Sequence, residues 1–258
     1  IASHLVVTPT QSLATKGAFG RPETFAFFVN SDGTLAVFYS LRGDKKQGWS
    51  MWDTQGKFHS LCSIENRLYA IAVRDDGSGT NKFYLEEFDE DMPMDFCDSF
   101  SGSNSVFGSL TSHFSNGAVV KVRDASDFLG TFTIASGSID VSGVKPSVST
   151  AFIGYQYTPL LKTLPIDSYA TRNGADMTGM PRKITSVILD MVETLSVSVN
   201  GNDLIIRNVT DDMSTARTPI TGHEEFRLLG YSRNPRIEIS QSTPFDLQLN
   251  GMVVEVNR

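Results

Sequence analysis

The chain has 258 residues, enough for one large β domain or two smaller ones with a real core. Its formal net charge is −7 and its densest basic cluster is only Arg42, Lys45 and Lys46, so a tight nucleic-acid binder, which needs cationic side chains to displace counterions from phosphates, is not expected. Its 17 Phe and 7 Tyr carry too much apolar area for disorder. No apolar run approaches the roughly 18 residues of a transmembrane helix, and no signal-peptide pattern opens the sequence, so no membrane anchor is expected.

Alternation of period two runs through the chain and predicts an all-β protein. The sequence opens at Ile1 and enters directly into the Val/Thr-rich segment His4 to Thr8, as a cut through a longer polypeptide would. Phe25 to Val29 and Leu35 to Tyr39 read as strands about Asn30-Ser31-Asp32-Gly33, where Asp-Gly is a hairpin signal. Gly48 to Trp52 follows, then a turn at Asp53 to Gly56. A second series runs Phe58 to Ile64, Arg67 to Val73 and Lys82 to Phe88, parted by Glu65-Asn66 and by Asp75-Asp76-Gly77-Ser78-Gly79. Corresponding strands of the two series recur at roughly 35 to 40 residues, a period that suits four-stranded propeller blades. Two blades cannot close a propeller, so further blades are expected before Ile1.

The acidic stretch Glu86 to Asp91 ends at Met92-Pro93, and Ser99 to Ser112 is rich in Ser and Gly. A domain boundary is therefore expected near residue 97. Residues 1–97 would form the blade-like region, and residues 98–258 a β-sandwich or barrel-like domain. In the second region Ala118 to Val122, Gly130 to Ile134 and Ser149 to Tyr157 read as strands, while Leu160 to Tyr169 has room for one short helical turn between Pro159 and Pro165.

Lys183 to Val199 is the longest periodic segment. Val187, Leu189 and Met191 share one face, and Leu195, Val197 and Val199 resume after a phase change at Glu193-Thr194, which predicts a bulge or a passage between two sheets. Asn200-Gly201 predicts a type I′ hairpin into Leu204 to Ile206. Phe226 to Leu229 and Arg236 to Ile239 continue the pattern. Phe245 to Val256 is either a hairpin about Asn250-Gly251 or one long kinked strand.

Chemistry-bearing motifs are scarce. There is no P-loop, dinucleotide fingerprint, HExxH or nucleophile elbow. Of His4, His59, His113 and His223 no two lie at ligand spacing, and His223-Glu224-Glu225 reads as a solvated strand end. Asp75 to Asn81 is rich in oxygen ligands but misses the EF-hand spacing and its closing Glu, so it reads as a hairpin loop. A glycosidase pair within Glu86 to Asp91 competes with charges that protect strand edges. Trp49, Trp52 and Tyr39 suggest a sugar platform, yet residues three apart in a strand face opposite sides, so core packing of at least one Trp is expected. Cys62 and Cys97 lack a Cys/His cluster and are expected as buried free thiols rather than zinc ligands. No catalytic, cofactor-binding or metal-binding residues are assigned.

Several strings resemble one family. Gly48-Trp49-Ser50-Met51-Trp52-Asp53-Thr54-Gln55-Gly56-Lys57-Phe58-His59-Ser60 resembles the "WSRW…G.F.S" stretch of tail tubular protein B, the nozzle of short-tailed bacteriophages. Arg67 to Val73 matches that family's "RLYxxV" strand and Lys82 to Phe88 its "K.YLE.F" strand. Phe152 to Tyr157 is similar to its "xxGxxY" entry, Leu164-Pro165-Ile166 to its "LPL/LPI" element, Pro181 to Leu189 to its "RKRIxxVxL" strand, with Thr194 to Val197 after it, and Pro244 to Leu249 to its closing "PLPLxV" strand. The Asn200-Gly201 and Asp211-to-Thr221 loops match no family motif.

The resemblance implies the C-terminal part of a longer virion protein of the phage tail. Such proteins form a ring, a hexamer in the virion, below the portal and its adaptor, around the channel through which the genome is ejected. Expected partners are other copies, other tail and adaptor proteins, and passing DNA held without tight binding. No catalysis and no cofactor are implied. The alternatives are a carbohydrate-binding or cell-surface-binding β protein, possibly a glycoside hydrolase fragment, and a tail component that binds the host receptor.

Overall fold

The computed structural model describes residues 4–18, 22–41, 43, 45–75, 80–166, 181–206 and 216–257. The chain is all-β: antiparallel sheets, one 3-10 turn at Leu110–Ser112, and no α-helix among the described residues. It forms two compact units, Ile1–Asp124 with Leu129–Tyr155, and Ala125–Phe128 with Gln156–Arg258.

The first unit opens with β1 (Pro9–Lys16), β2 (Thr24–Asn30), β3 (Leu35–Leu41) and β4 (Lys46–Trp52), a meander in which sequence neighbours are also sheet neighbours. β5 (Lys57–Ile64), β6 (Arg67–Asp75) and β7 (Asn81–Glu87) form a second meander. Both expected series are thus separate up-and-down sheets, the first with the four strands of a blade and the second with three. One core joins them: Phe25, Phe27, Val29, Leu35 and Val37 from the first sheet meet Phe58, Leu61, Leu68 and Ala70 from the second. Gln11 on β1 ties the sheets by polar contacts as well. Its amide nitrogen donates to the Leu61 carbonyl at 2.8 Å, and its amide oxygen accepts from the Leu61 N–H at 2.8 Å. The Asp-Gly turn forms as expected: Gly33 adopts φ 91°, and its N–H donates to the Asn30 carbonyl at 2.9 Å.

A second core in the same unit is built from β8 (Asp95–Ser101), β9 (Val106–Phe107), β10 (Val119–Arg123), β11 (Phe128–Thr133), β12 (Ile139–Asp140) and β13 (Thr150–Tyr155). The sheet order is β11-β10-β13-β8, with β9 and β12 as a separate ribbon. Phe107, Leu110, Phe114, Val120, Val122, Ala151 and Ile153 fill the interior. The Ser/Gly-rich stretch is therefore not a linker. Its small residues make strand β8 and tight turns; a Cβ on Gly102 would lie 2.6 Å from the Val106 carbonyl oxygen. Residue 97 falls near the change from first core to second, within the first unit, while the compact units part near residue 155.

The second unit contains β14 (Leu160–Lys162), β15 (Lys183–Thr194), β16 (Ser198–Val199), β17 (Asn202–Asp203), β18 (Ile220–Arg227), β19 (Glu238–Ser240) and β20 (Gln248–Asn257). Two sheets, β14-β19-β16-β17 and β18-β15-β20, share one core of Val187, Leu189, Met191, Val197, Val199, Phe226 and Ile239, which is sandwich-like packing. No sheet closes into a barrel among the described residues, so the barrel alternative is set aside. The phase change at Glu193-Thr194 is a passage between these sheets: Glu193 adopts φ 45° and the chain leaves β15 for β16. Asn200 and Gly201 take φ 48° and 81°, the two positive angles of a type I′ turn, and Val199 pairs with Asn202 across it.

One expectation is corrected. Leu160–Lys162 is a short strand paired with β19 instead of a helical turn; residues 167–169 lie outside the described residues. Of the two readings of Phe245 to Val256, the kinked strand holds: β20 runs through Asn250-Gly251, and its register against β15 slips between Asp190 and Met191, which is a bulge.

Candidate functional site

The feature that stands out is a pair of apolar sheet faces. Side chains alternate across a strand, so residues 25, 27, 29, 35, 37 and 39 serve the first core while residues 26, 28, 36 and 38 face away from it. The register sets Phe28 beside Ala36, Ala36 beside Met51, and Phe38 beside Trp49 on that outer side. The Trp49 ring lies 4.9 Å from Phe38 and 5.7 Å from Phe28, centroid to centroid. Trp49 is 36% exposed and Met51 41%.

The second sheet repeats the pattern. Phe58, Leu61, Leu68, Ala70 and Ala72 are buried toward the core, while Ile71 pairs with Leu85 and Val73 with Phe83 on the opposite side. Phe83 is 64% exposed and Leu85 73%, and His59 packs edge-on against Phe83 at 5.6 Å. An antiparallel sheet with one solvated face normally alternates apolar and polar residues. Here both sheets are apolar on both sides, so the stack ends in an apolar face at each side. The string Phe25-Ala26-Phe27-Phe28-Val29, apolar at every position, carried this signal in the sequence.

The alternation also sends Arg74 inward, where it is 4% exposed. Its Nε and Nη2 donate to the two Glu86 oxygens at 2.7 and 2.8 Å. Nη2 and Nη1 reach the Asp95 oxygens at 2.9 and 3.2 Å, Nη1 donates to the Gln55 carbonyl at 2.8 Å, and the guanidinium stacks 4.4 Å from the Phe96 ring centroid. Burial alone would push its pKa down; the hydrogen bonds and charges of Glu86 and Asp95 outweigh burial and raise it. This cluster fastens the first core to the strand that opens the second. Within the acidic stretch, Glu86 is thus committed to Arg74, while Glu87, on the other face, pairs with Arg67 at 3.1 Å.

The remaining candidates are dispersed. Trp52 packs in the first core, its ring centroid 5.9 Å from Phe27 and 5.7 Å from Phe88, while Trp49 faces out, so no single platform holds both. His223 sits within β18 rather than ahead of it, exposed, with Nε2 4.0 Å from Asp190. Residues 76–79 of the oxygen-rich loop and Arg42 lie outside the described residues; Asp75 and Asn81 pair where the loop departs. No group of three His, Cys, Asp or Glu is placed to hold a metal among the described residues.

Cys62 is exposed, a correction, because it lies on the outer side of β5. Cys97 is half-buried, and desolvation pushes its thiol up to about 12.

No protein-family model matches the chain, and no curated protein matches it. The fold defines an all-β protein of antiparallel sheets, the first two of which carry apolar side chains on their outer sides as well as in the core.

Proposed function

We propose that this chain is a structural wall subunit of a phage tail nozzle, assembled with further copies into a ring around the DNA ejection channel and held against other tail and adaptor proteins. The observation that carries this reading is the pair of apolar faces on opposite sides of one two-sheet stack. Opposite faces favour head-to-tail contacts, which close into rings. A sheet of four seven-residue strands offers roughly 400 Å² per face, from strand spacing and rise. Each head-to-tail contact joins one face of each neighbour and so buries roughly 800 Å² in total, about half of a standard interface, with the ring's remaining area coming from other parts of the wall. The resemblance to tail tubular protein B supplies the virion setting. The net charge of −7 suits a wall past which DNA slides, since cations would hold the phosphates.

Mass photometry and negative-stain imaging of the chain, paired with a duplex mobility-shift assay, test this reading. Expected are rings whose population rises with concentration, loss of rings in Leu85→Asp, and no DNA shift at physiological salt. A strictly monomeric chain at its highest soluble concentration, or stable DNA retention, overturns it.

A further inference from the structure

The second sheet stops one strand short of the first. Its order is β5-β6-β7 against β1-β2-β3-β4, and its two edges are finished differently. The β5 edge is capped: the Phe58 N–H donates to the Gly33 carbonyl at 2.9 Å, and the Gln11 side chain bonds both the N–H and the carbonyl of Leu61 at 2.8 Å. At the other edge, β7 has β6 as its one sheet partner among the described residues.

The register fixes which groups of β7 are left over. In an antiparallel pair, hydrogen-bonded and non-hydrogen-bonded positions alternate along the strand. The Phe88 N–H donates to the Leu68 carbonyl at 2.9 Å, in step with Glu86 opposite Ala70 and Tyr84 opposite Ala72. Lys82, Tyr84 and Glu86 therefore turn their main-chain groups toward β6, while Asn81, Phe83, Leu85 and Glu87 turn theirs away. The pairing with β6 runs over seven residues without a shift, and the strand contains neither Pro nor Gly. Edge strands are normally blunted by a bulge, a proline or short length. β7 has none of these, and its Phe83 and Leu85 side chains are exposed.

We propose that β7 is a pairing edge for β7 of a second copy of this chain, joined antiparallel about a two-fold axis at Tyr84. Strands add to a bare edge through main-chain hydrogen bonds, and the facing side chains select the partner. An axis at Tyr84 overlaps the whole strand and sets outward-turned groups against outward-turned groups. Asn81 then faces Glu87 of the partner subunit, Lys82 faces Glu86 of the partner subunit, and Phe83 faces Leu85 of the partner subunit, each twice by symmetry. Four hydrogen-bonded pairs with two bonds each give about eight main-chain bonds. Like charges are nowhere opposite, an apolar pair lies on the outer side, and opposite charges meet on the other side. An axis moved to Phe83 or Leu85 shortens the overlap and loses the pairing of Lys82 with Glu86. The contact is isologous and uses the rim of the sheet, so it is independent of the head-to-tail faces of the ring.

The test is residue-resolved amide exchange with sedimentation velocity, at low and high protein concentration, on the chain and on Met51→Asp. Met51→Asp spoils the outer face of the first sheet, so loss of rings is read separately from pairing at β7. Expected in both proteins is protection of the Phe83, Leu85 and Glu87 amides that rises with concentration. The Tyr84 and Glu86 amides, already bonded to β6, do not change, and Met51→Asp sediments as a dimer at the high concentration. Lys82→Glu sets like charges opposite each other at both ends of the contact and weakens the dimer about fivefold. Phe83→Pro removes an outward donor, keeps the ladder to β6, as the Tyr84 amide reports, and abolishes the dimer. Phe83, Leu85 and Glu87 amides that exchange freely at every concentration overturn the proposal. Protection that is equal at every concentration, as a strand of the same chain would give, overturns it as well. So does a dimer unmoved by Lys82→Glu, and so does protection that appears in β4 together with β7, which marks a β4–β7 contact.

Discussion

The guanidinium of Arg74 meets the carboxylate of Asp95 at 2.9 Å, and both side chains are largely withdrawn from water, at 5% and 14% exposure. The pair joins β6 of the first core to β8, the strand that opens the second. Removing one partner of a buried, fully bonded ion cluster leaves the other charges desolvated and unpaired, which costs about 3–5 kcal/mol. Arg74→Ala is therefore expected to lower stability by about that amount in urea unfolding. Asp95→Asn, which keeps the shape and leaves Glu86 on the arginine, is expected to cost less, about 1–3 kcal/mol. Equal losses in the two variants would contradict the cluster geometry.

The two thiols should react very differently. Cys62 is exposed, whereas Cys97 is half-buried within β8 with its thiol raised to about 12, chiefly by desolvation. The thiolate is the nucleophile, so alkylation at pH 8 is expected to modify Cys62 rapidly and Cys97 only after unfolding, as peptide mass spectrometry would read. The same shift carries a stability consequence. The unfolded thiol ionises near its ordinary value of 9.0 while the folded one keeps its proton to about 12. The folded state therefore binds more protons across that window. The stabilisation is complete below pH 9 and is lost as the pH climbs from 9 toward 12. Cys97→Ala should flatten that part of the stability curve.

At the first hairpin, Gly33 has φ 91°, and a Cβ there would lie 2.5 Å from the Lys57 Cβ. The Gly33 carbonyl also accepts the Phe58 N–H at 2.9 Å, so the turn is pressed onto the start of β5. Gly33→Ala combines a disfavoured backbone angle with a collision against another strand and is expected to cost about 2–4 kcal/mol. Gly48→Ala is the matched control. Nothing lies within 4 Å of its added methyl, and thermal unfolding should change little.

How much of this was legible depends on the range of the interaction. The strands about Asp32-Gly33 and Asn200-Gly201 were legible because turn chemistry and alternation are local. The passage at Glu193-Thr194 announced itself as a phase change for the same reason. β14 was not legible: three residues between prolines have no period to read, and their partner β19 lies 76 residues on, Lys162 opposite Glu238. The Arg74 cluster was hidden because Asp95 is one carboxylate among many in an acidic chain, and only the fold brings it to β6. The outer faces were half-visible. The unbroken apolar string at Phe25 to Val29 told of two apolar sides, but that Phe28, Phe38 and Trp49 meet depends on register across three strands.

The strand switch in the second unit rests on Thr194, which is fully buried. Its hydroxyl lies 3.1 Å from the Val192 carbonyl and 3.4 Å from that of Gln248, either of which can accept its proton, and it receives the Gln248 N–H at 3.3 Å. It therefore satisfies backbone groups where the β15–β20 ladder breaks off and the chain leaves for the facing sheet. Thr194→Val keeps the volume and removes the hydroxyl, stranding the Gln248 N–H, and is expected to cost about 1–3 kcal/mol. Thr194→Ser keeps the hydroxyl and loses one buried methyl, a cost nearer 1 kcal/mol. Hydrogen exchange separates the causes. In Thr194→Val the Gln248 amide should lose protection well beyond the global change in stability, and in Thr194→Ser it should not. Equal protection of that amide in both variants would show that the switch is held by packing of Leu189, Met191 and Val197 alone.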